Sequence, residues 1–189
     1  MLLLTLGVLL FTLLHLSVAM WPTRRALLIE RLGEQRYKGV FSLGVVIAFG
    51  CMLAGWRDSL ATPFYTPPGW GAAAAMVMLP LAIWLLCCSM GPNHLRRWLR
   101  HPQLLAVLLW SLGHVLVNTE SRALLLFGAL TLWSAIEIIL IIYRDGWRTP
   151  VMTPDWRFDL ASFSAALLLL AALWWDGHAW LTGLPLPRI

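Results

Sequence analysis

The chain has 189 residues, of which 60% are hydrophobic and 12% charged, with a mean hydropathy of +0.75. A soluble domain carries about 25% charged residues, so this chain has too little polar surface to cover a water-soluble globule. Composition argues against a soluble enzyme, a disordered chain and a disulfide scaffold, and points to the bilayer as solvent. The net charge of +5 fits basic loops on one side of a membrane and removes nucleic acid as a partner. Cys51, Cys87 and Cys88 lie inside apolar runs, with no zinc-ligand spacing.

A spanning helix needs roughly 20 mostly apolar residues, and the sequence predicts about six. The first runs from Leu2 to Trp21, the second from Val40 to Trp56 and the third from Gly71 to Met90. A short fourth covers Gln103 to Val117, the fifth Ala123 to Ile142 and the sixth Leu160 to Leu181. Turn signals such as Trp21-Pro22, Pro67-Pro68-Gly69, Gly91-Pro92-Asn93 and Asp145-Gly146 separate them. The fold class is therefore all-α, a single polytopic bundle over residues 1–189. No Lys or Arg precedes the first apolar run, whereas Arg24 and Arg25 follow it, the reverse of a cleaved secretory signal. The first span is expected to be retained.

Basic residues assign the sides. Arg24, Arg25, Arg31, Arg36 and Lys38 follow span one, Arg96, Arg97 and Arg100 follow span three, and Arg144, Arg148 and Arg157 follow span five. Only Arg57, Arg122 and Arg188 fall on the other side. This split places the basic loops in the cytoplasm and both termini outside it. Trp21, Trp56, Trp70, Trp98, Trp147, Trp156 and Trp180 sit near predicted helix ends, where amphipathic rings anchor at the interface. The stretch from Thr23 to Lys38 reads either as a short interfacial helix or as a frayed extension of span one.

Intramembrane polar residues are costly and are functional candidates by default. His15 in span one, His114 late in span four and Glu137 in span five are the candidates. Neutral imidazole is a common haem ligand whose second nitrogen donates to another partner; the bland alternative is a packed histidine bonded to a backbone carbonyl. At 1.5 Å per residue, His15 lies roughly 9 Å from the cytoplasmic end of its span and His114 roughly 18 Å, so shared ligation demands tilt or a helix break. Glu137 reads as a structural hydrogen-bonding group or a proton carrier. Arg96, Arg97 and Arg100 are candidates for lipid head groups or a cofactor carboxylate.

Several motifs together resemble the NnrU family of bacterial integral membrane proteins. They are Leu14-His15-Leu16, the run from Glu30 to Gly39, Thr66-Pro67-Pro68, and Arg100-His101-Pro102-Gln103-Leu104 leading into Trp110-Ser111-Leu112-Gly113-His114, then Asn118 to Gly128. The resemblance is strongest over residues 1–143. It implies a bacterial inner-membrane protein associated with nitrite and nitric oxide reduction, with nitrogen-oxide reductase components as possible partners beside the lipid bilayer. A relative of that family, zeta-carotene isomerase, resembles a haem b enzyme with two histidine ligands. The resemblance carries those ligands to His15 and His114; in the haem reading Arg97 or Arg100 is expected near the haem carboxylates, and His101 and Asn118 are further candidates. The isomerase has a cysteine where this chain has Ser111, so a cysteine ligand switch does not carry over. Family members often have Asn-Gly where this chain has Asn118-Thr119. The Arg100-His101-Pro102 run is also similar to one in isoprenylcysteine-type methyltransferases, whose further cofactor motif is not evident here. Three functions stay open: a haem protein of nitrogen-oxide metabolism, an isomerase of an apolar membrane-dissolved polyene, and a non-catalytic scaffold or assembly factor.

Overall fold

The computed structural model describes residues 1–147, 149 and 152–184; Arg148 and Arg188, counted above among the basic residues, lie outside them. The described residues form seven helices: α1 (Leu2–Met20), α2 (Pro22–Leu32), α3 (Glu34–Asp58), α4 (Gly71–Cys87), α5 (Pro102–Val115), α6 (Ser121–Asp145) and α7 (Trp156–Thr182). A one-turn 3-10 helix covers His94–Arg97. Among the described residues there is no strand, only an isolated antiparallel bridge between Pro63 and Glu120. The all-α expectation holds.

Four helices, α1, α3, α6 and α7, are long and apolar enough to cross a membrane, and α4 and α5 are shorter apolar helices of 17 and 14 residues. The chain is therefore a membrane protein by fold and composition. The second span begins earlier than its apolar run. Glu34 and Lys38 pair across one helical turn at 2.7 Å and carry α3 six residues upstream of Val40. The stretch before it is a distinct helix rather than an extension of α1. Trp21 breaks the helical path, Pro22 supplies the preset first position of α2, and Gly33 at φ +80° ends it. No residue of α2 is buried.

Small residues set the packing. α1 and α3 form an antiparallel hairpin in which a Cβ on Gly55 would lie 2.3 Å from the Leu4 nitrogen, and one on Gly7 2.7 Å from that of Met52. Lipid supplies no hydrophobic drive between helices, so such close backbone approach is what gains dispersion contact. α4 and α5 form a second hairpin, with Gly71 against the Leu116 carbonyl and Gly113 against Leu79. α6 lies between the hairpins and touches α1 and α5. Thr131 Oγ1 donates to Ser111 Oγ across the α5–α6 seam at 2.9 Å. α7 packs on α4, burying only Ser162 and Ala166 over Trp156–Ala172. Its last turn meets α3, where Trp56 Nε1 donates to the Thr182 carbonyl at 3.1 Å.

The basic segments gather at one end. Arg144 reaches the Ala19 carbonyl, Arg100 binds Asp145, Thr149 donates to the Arg97 carbonyl, and Asp159 holds both the backbone N–H and Nδ1 of His94. The opposite, or far, end is closed by Thr62 bonded to Ser121 and by Phe64 donating to the Thr119 carbonyl.

Candidate functional site

His15 projects from α1 between α3 and α6. Its ring centroid is 4.2 Å from Phe11, 5.4 Å from Phe41 and 5.1 Å from Trp133. His114 projects from the last turn of α5, with ring centroids 4.9 Å from Trp110 and 4.4 Å from Phe127, the latter stacked. The two histidines share one local design. Each has an aromatic residue four positions before it, and each Nδ1 lies 2.8 Å from that residue's carbonyl oxygen, Phe11 for His15 and Trp110 for His114. A carbonyl oxygen only accepts, so Nδ1 carries the proton. In the neutral imidazole the lone pair is then on Nε2. Among the described residues neither Nε2 has a hydrogen-bond partner.

α6 supplies the second wall for both rings. Phe127 lies within a π-helical segment, Leu124–Gly128, and such bulges re-aim side chains. Phe127 and Trp133 are separated by roughly 9 Å of helix rise, so the structure brings each histidine to α6 at its own depth rather than into mutual contact. One turn beyond Trp133 stands Glu137, 7% exposed. The Trp133 indole N–H faces this carboxyl without reaching hydrogen-bonding geometry. Trp133 Nε1 and Glu137 Oε2 are both buried without a partner.

The remaining candidates fall elsewhere. Arg100 is committed to Asp145, through the carboxylate at 3.0 Å and the backbone carbonyls of Asp145 and Gly146. Arg97 is exposed at the same end. His101 is at the surface before α5, where desolvation and then the charge of Arg100 lower its pKa. Asn118 donates to the His114 carbonyl at 2.8 Å and so caps the end of α5.

Composition and charge counting overlooked Arg122. It is 8% exposed, donates to Glu120 Oε2 at 2.6 Å and to the carbonyls of Trp56 and Ser59, and stacks 4.5 Å from the Trp56 ring centroid. Phe11, Trp110, Phe127 and Trp133 were also missed as site walls; the aromatic-x-x-x-His spacing repeated in α1 and α5 was the available signal for two of them.

A family model described as NnrU protein matches residues 3–186. The chain belongs to the NnrU family. The match runs through α7, beyond the 1–143 region where the resemblance was strongest, and includes every residue of the two histidine walls. No curated protein and no solved structure matches the chain.

Taken singly, the donor chemistry of His15 and of His114 suits a haem-iron ligand, while their different depths along α6 separate the two. Each imidazole is oriented by its own backbone, each leaves Nε2 for iron, and each is flanked by flat aromatic surface. Among the described residues no cluster of three or more His, Cys, Asp or Glu converges to hold a bare metal ion.

Proposed function

We propose that this NnrU protein is a six-span bacterial inner-membrane protein that holds haem b through His15 and His114 and acts in nitrite and nitric oxide reduction. What supports this reading is the pair of Nε2 atoms, each without a hydrogen-bond partner among the described residues and each beside an aromatic wall, with Nδ1–H held by the carbonyl of Phe11 or Trp110. Those Nδ1–H bonds fix the tautomer that a ligating imidazole requires, in both histidines alike. Haem, when bound, supplies a one-electron iron couple whose potential the protein sets.

The chain's own residues do the rest. Phe11, Phe41 and Trp133 exclude water around His15, and Trp110 and Phe127 do so around His114. Were both histidines to hold the iron, the group would supply electron transfer rather than capture of a gas at an open position. Arg97, exposed at the basic end and without an ion pair among the described residues, is available to a carboxylate of the macrocycle. Arg100 would have to share its guanidinium with Asp145. In this topology the basic end faces the cytoplasm and both termini lie on the other side.

Absorption spectroscopy of the detergent-purified protein tests the proposal. A b-type reduced-minus-oxidised spectrum is expected, abolished or strongly diminished in His15→Ala and in His114→Ala, and kept in the surface variant His101→Ala. Colourless protein from haem-sufficient cells that takes up none on reconstitution overturns it.

A further inference from the structure

Away from the histidines, a cavity of about 230 Å³ opens at the elbow between α1 and α2, lined by Ser17, Trp21, Arg24, Arg25 and Leu28. Neither arginine has a carboxylate within ion-pairing distance among the described residues. Glu34, whose charge Arg25 influences, is already paired with Lys38. Aromatic rings steady both guanidinium groups, Trp21 at 5.5 Å from that of Arg24 and Tyr37 at 5.9 Å from that of Arg25. Two positive, forked donors lining one hollow are complementary to a phosphate.

The helical phase of α1 says how such a phosphate is attached. Ser17 lies on the same face as Leu6, Leu10 and Leu13, at spacings of three and four residues, and those three leucines are exposed. The opposite face carries Leu4, Val8, Phe11 and His15 toward the core and the histidine site. An apolar stripe thus runs down the outer side of α1 into the arginine-lined elbow, at the end where the basic segments gather.

We infer that the elbow binds an anionic phospholipid, with its phosphate between Arg24 and Arg25 and one acyl chain along Leu13, Leu10 and Leu6. The site stands independently of haem.

Native mass spectrometry and lipid exchange on the full chain, with phosphatidylglycerol against phosphatidylcholine, test it. The wild type is expected to retain phosphatidylglycerol selectively. Arg24→Gln with Arg25→Gln is expected to weaken retention roughly a hundred-fold or more, because each arginine loses a charge-assisted hydrogen bond to the phosphate. Ser17→Phe is expected to abolish retention by filling the cavity with the charges kept. Arg31→Gln with Arg36→Gln, which removes equal charge outside the cavity, is expected to leave it intact. Equal loss in that control pair marks diffuse surface charge and overturns the site. Displacement of the lipid by inorganic phosphate at comparable concentration marks a soluble-anion site and overturns the lipid assignment. Wild type with no preference between the two lipids also overturns it.

Discussion

Arg122 faces inward at the far end of the bundle, and its surroundings explain why. A buried guanidinium is tolerated when its charge is paired and its N–H groups find acceptors; here Glu120 answers the charge, Nε and Nη1 donate to Glu120 and two backbone carbonyls, and the Trp56 ring lies beside the group. Replacing it with Met leaves Glu120 and the Trp56 and Ser59 carbonyls without their donor. Arg122→Met is expected to cost about 3–5 kcal/mol in an unfolding titration of the purified protein. Arg57→Met, at an exposed arginine that donates to the Trp180 carbonyl, is expected to cost about 1 kcal/mol or less. Nothing in the sequence separated these two arginines, because a charge count assigns both to a loop. His15, His114 and Glu137 were legible for the opposite reason. Polar groups are so rare in the apolar runs that each one stands out. The aromatic walls did not stand out, since Phe and Trp are ordinary residues in a membrane span.

Helix positions were legible to within a few residues because length and hydropathy in a bilayer follow from its thickness. Boundaries shifted where local chemistry outweighed hydropathy. The Glu34–Lys38 pair lengthened α3 into a polar stretch, and Gly33 separated it from α2. Which glycines matter was not legible. Gly55 meets the backbone of Leu4, while Gly50, five residues earlier on the same helix, has nothing within 4 Å. Gly55→Val therefore forces α1 and α3 apart and is expected to cost about 3 kcal/mol, the upper part of the usual overpacking range. Gly50→Val is expected to leave the thermal midpoint nearly unchanged. The π-helical segment that holds Phe127, stacked on His114, also had no signature in the sequence.

At the scale of the molecule, the described basic loops meet at one end through Arg100–Asp145, Arg144–Ala19 and His94–Asp159. Impermeant thiol labelling in intact cells reads out which side that is. Thr62→Cys at the far end is expected to label from outside, and Thr153→Cys at the basic end only after permeabilisation; the reverse pattern inverts the topology. The sequence by itself determined the solvent, the approximate places of the apolar helices, the charge asymmetry and the rare polar residues, because these depend on composition along a line and on the cost of polarity in hydrocarbon. Tertiary structure alone decided which arginine is buried, which glycines are contact points and which rings wall each histidine. It also opened the arginine-lined hollow at the α1–α2 elbow. Those features depend on which helices are neighbours and at what depth, and residues as far apart in the chain as His15 and Trp133 become partners only when the helices pack.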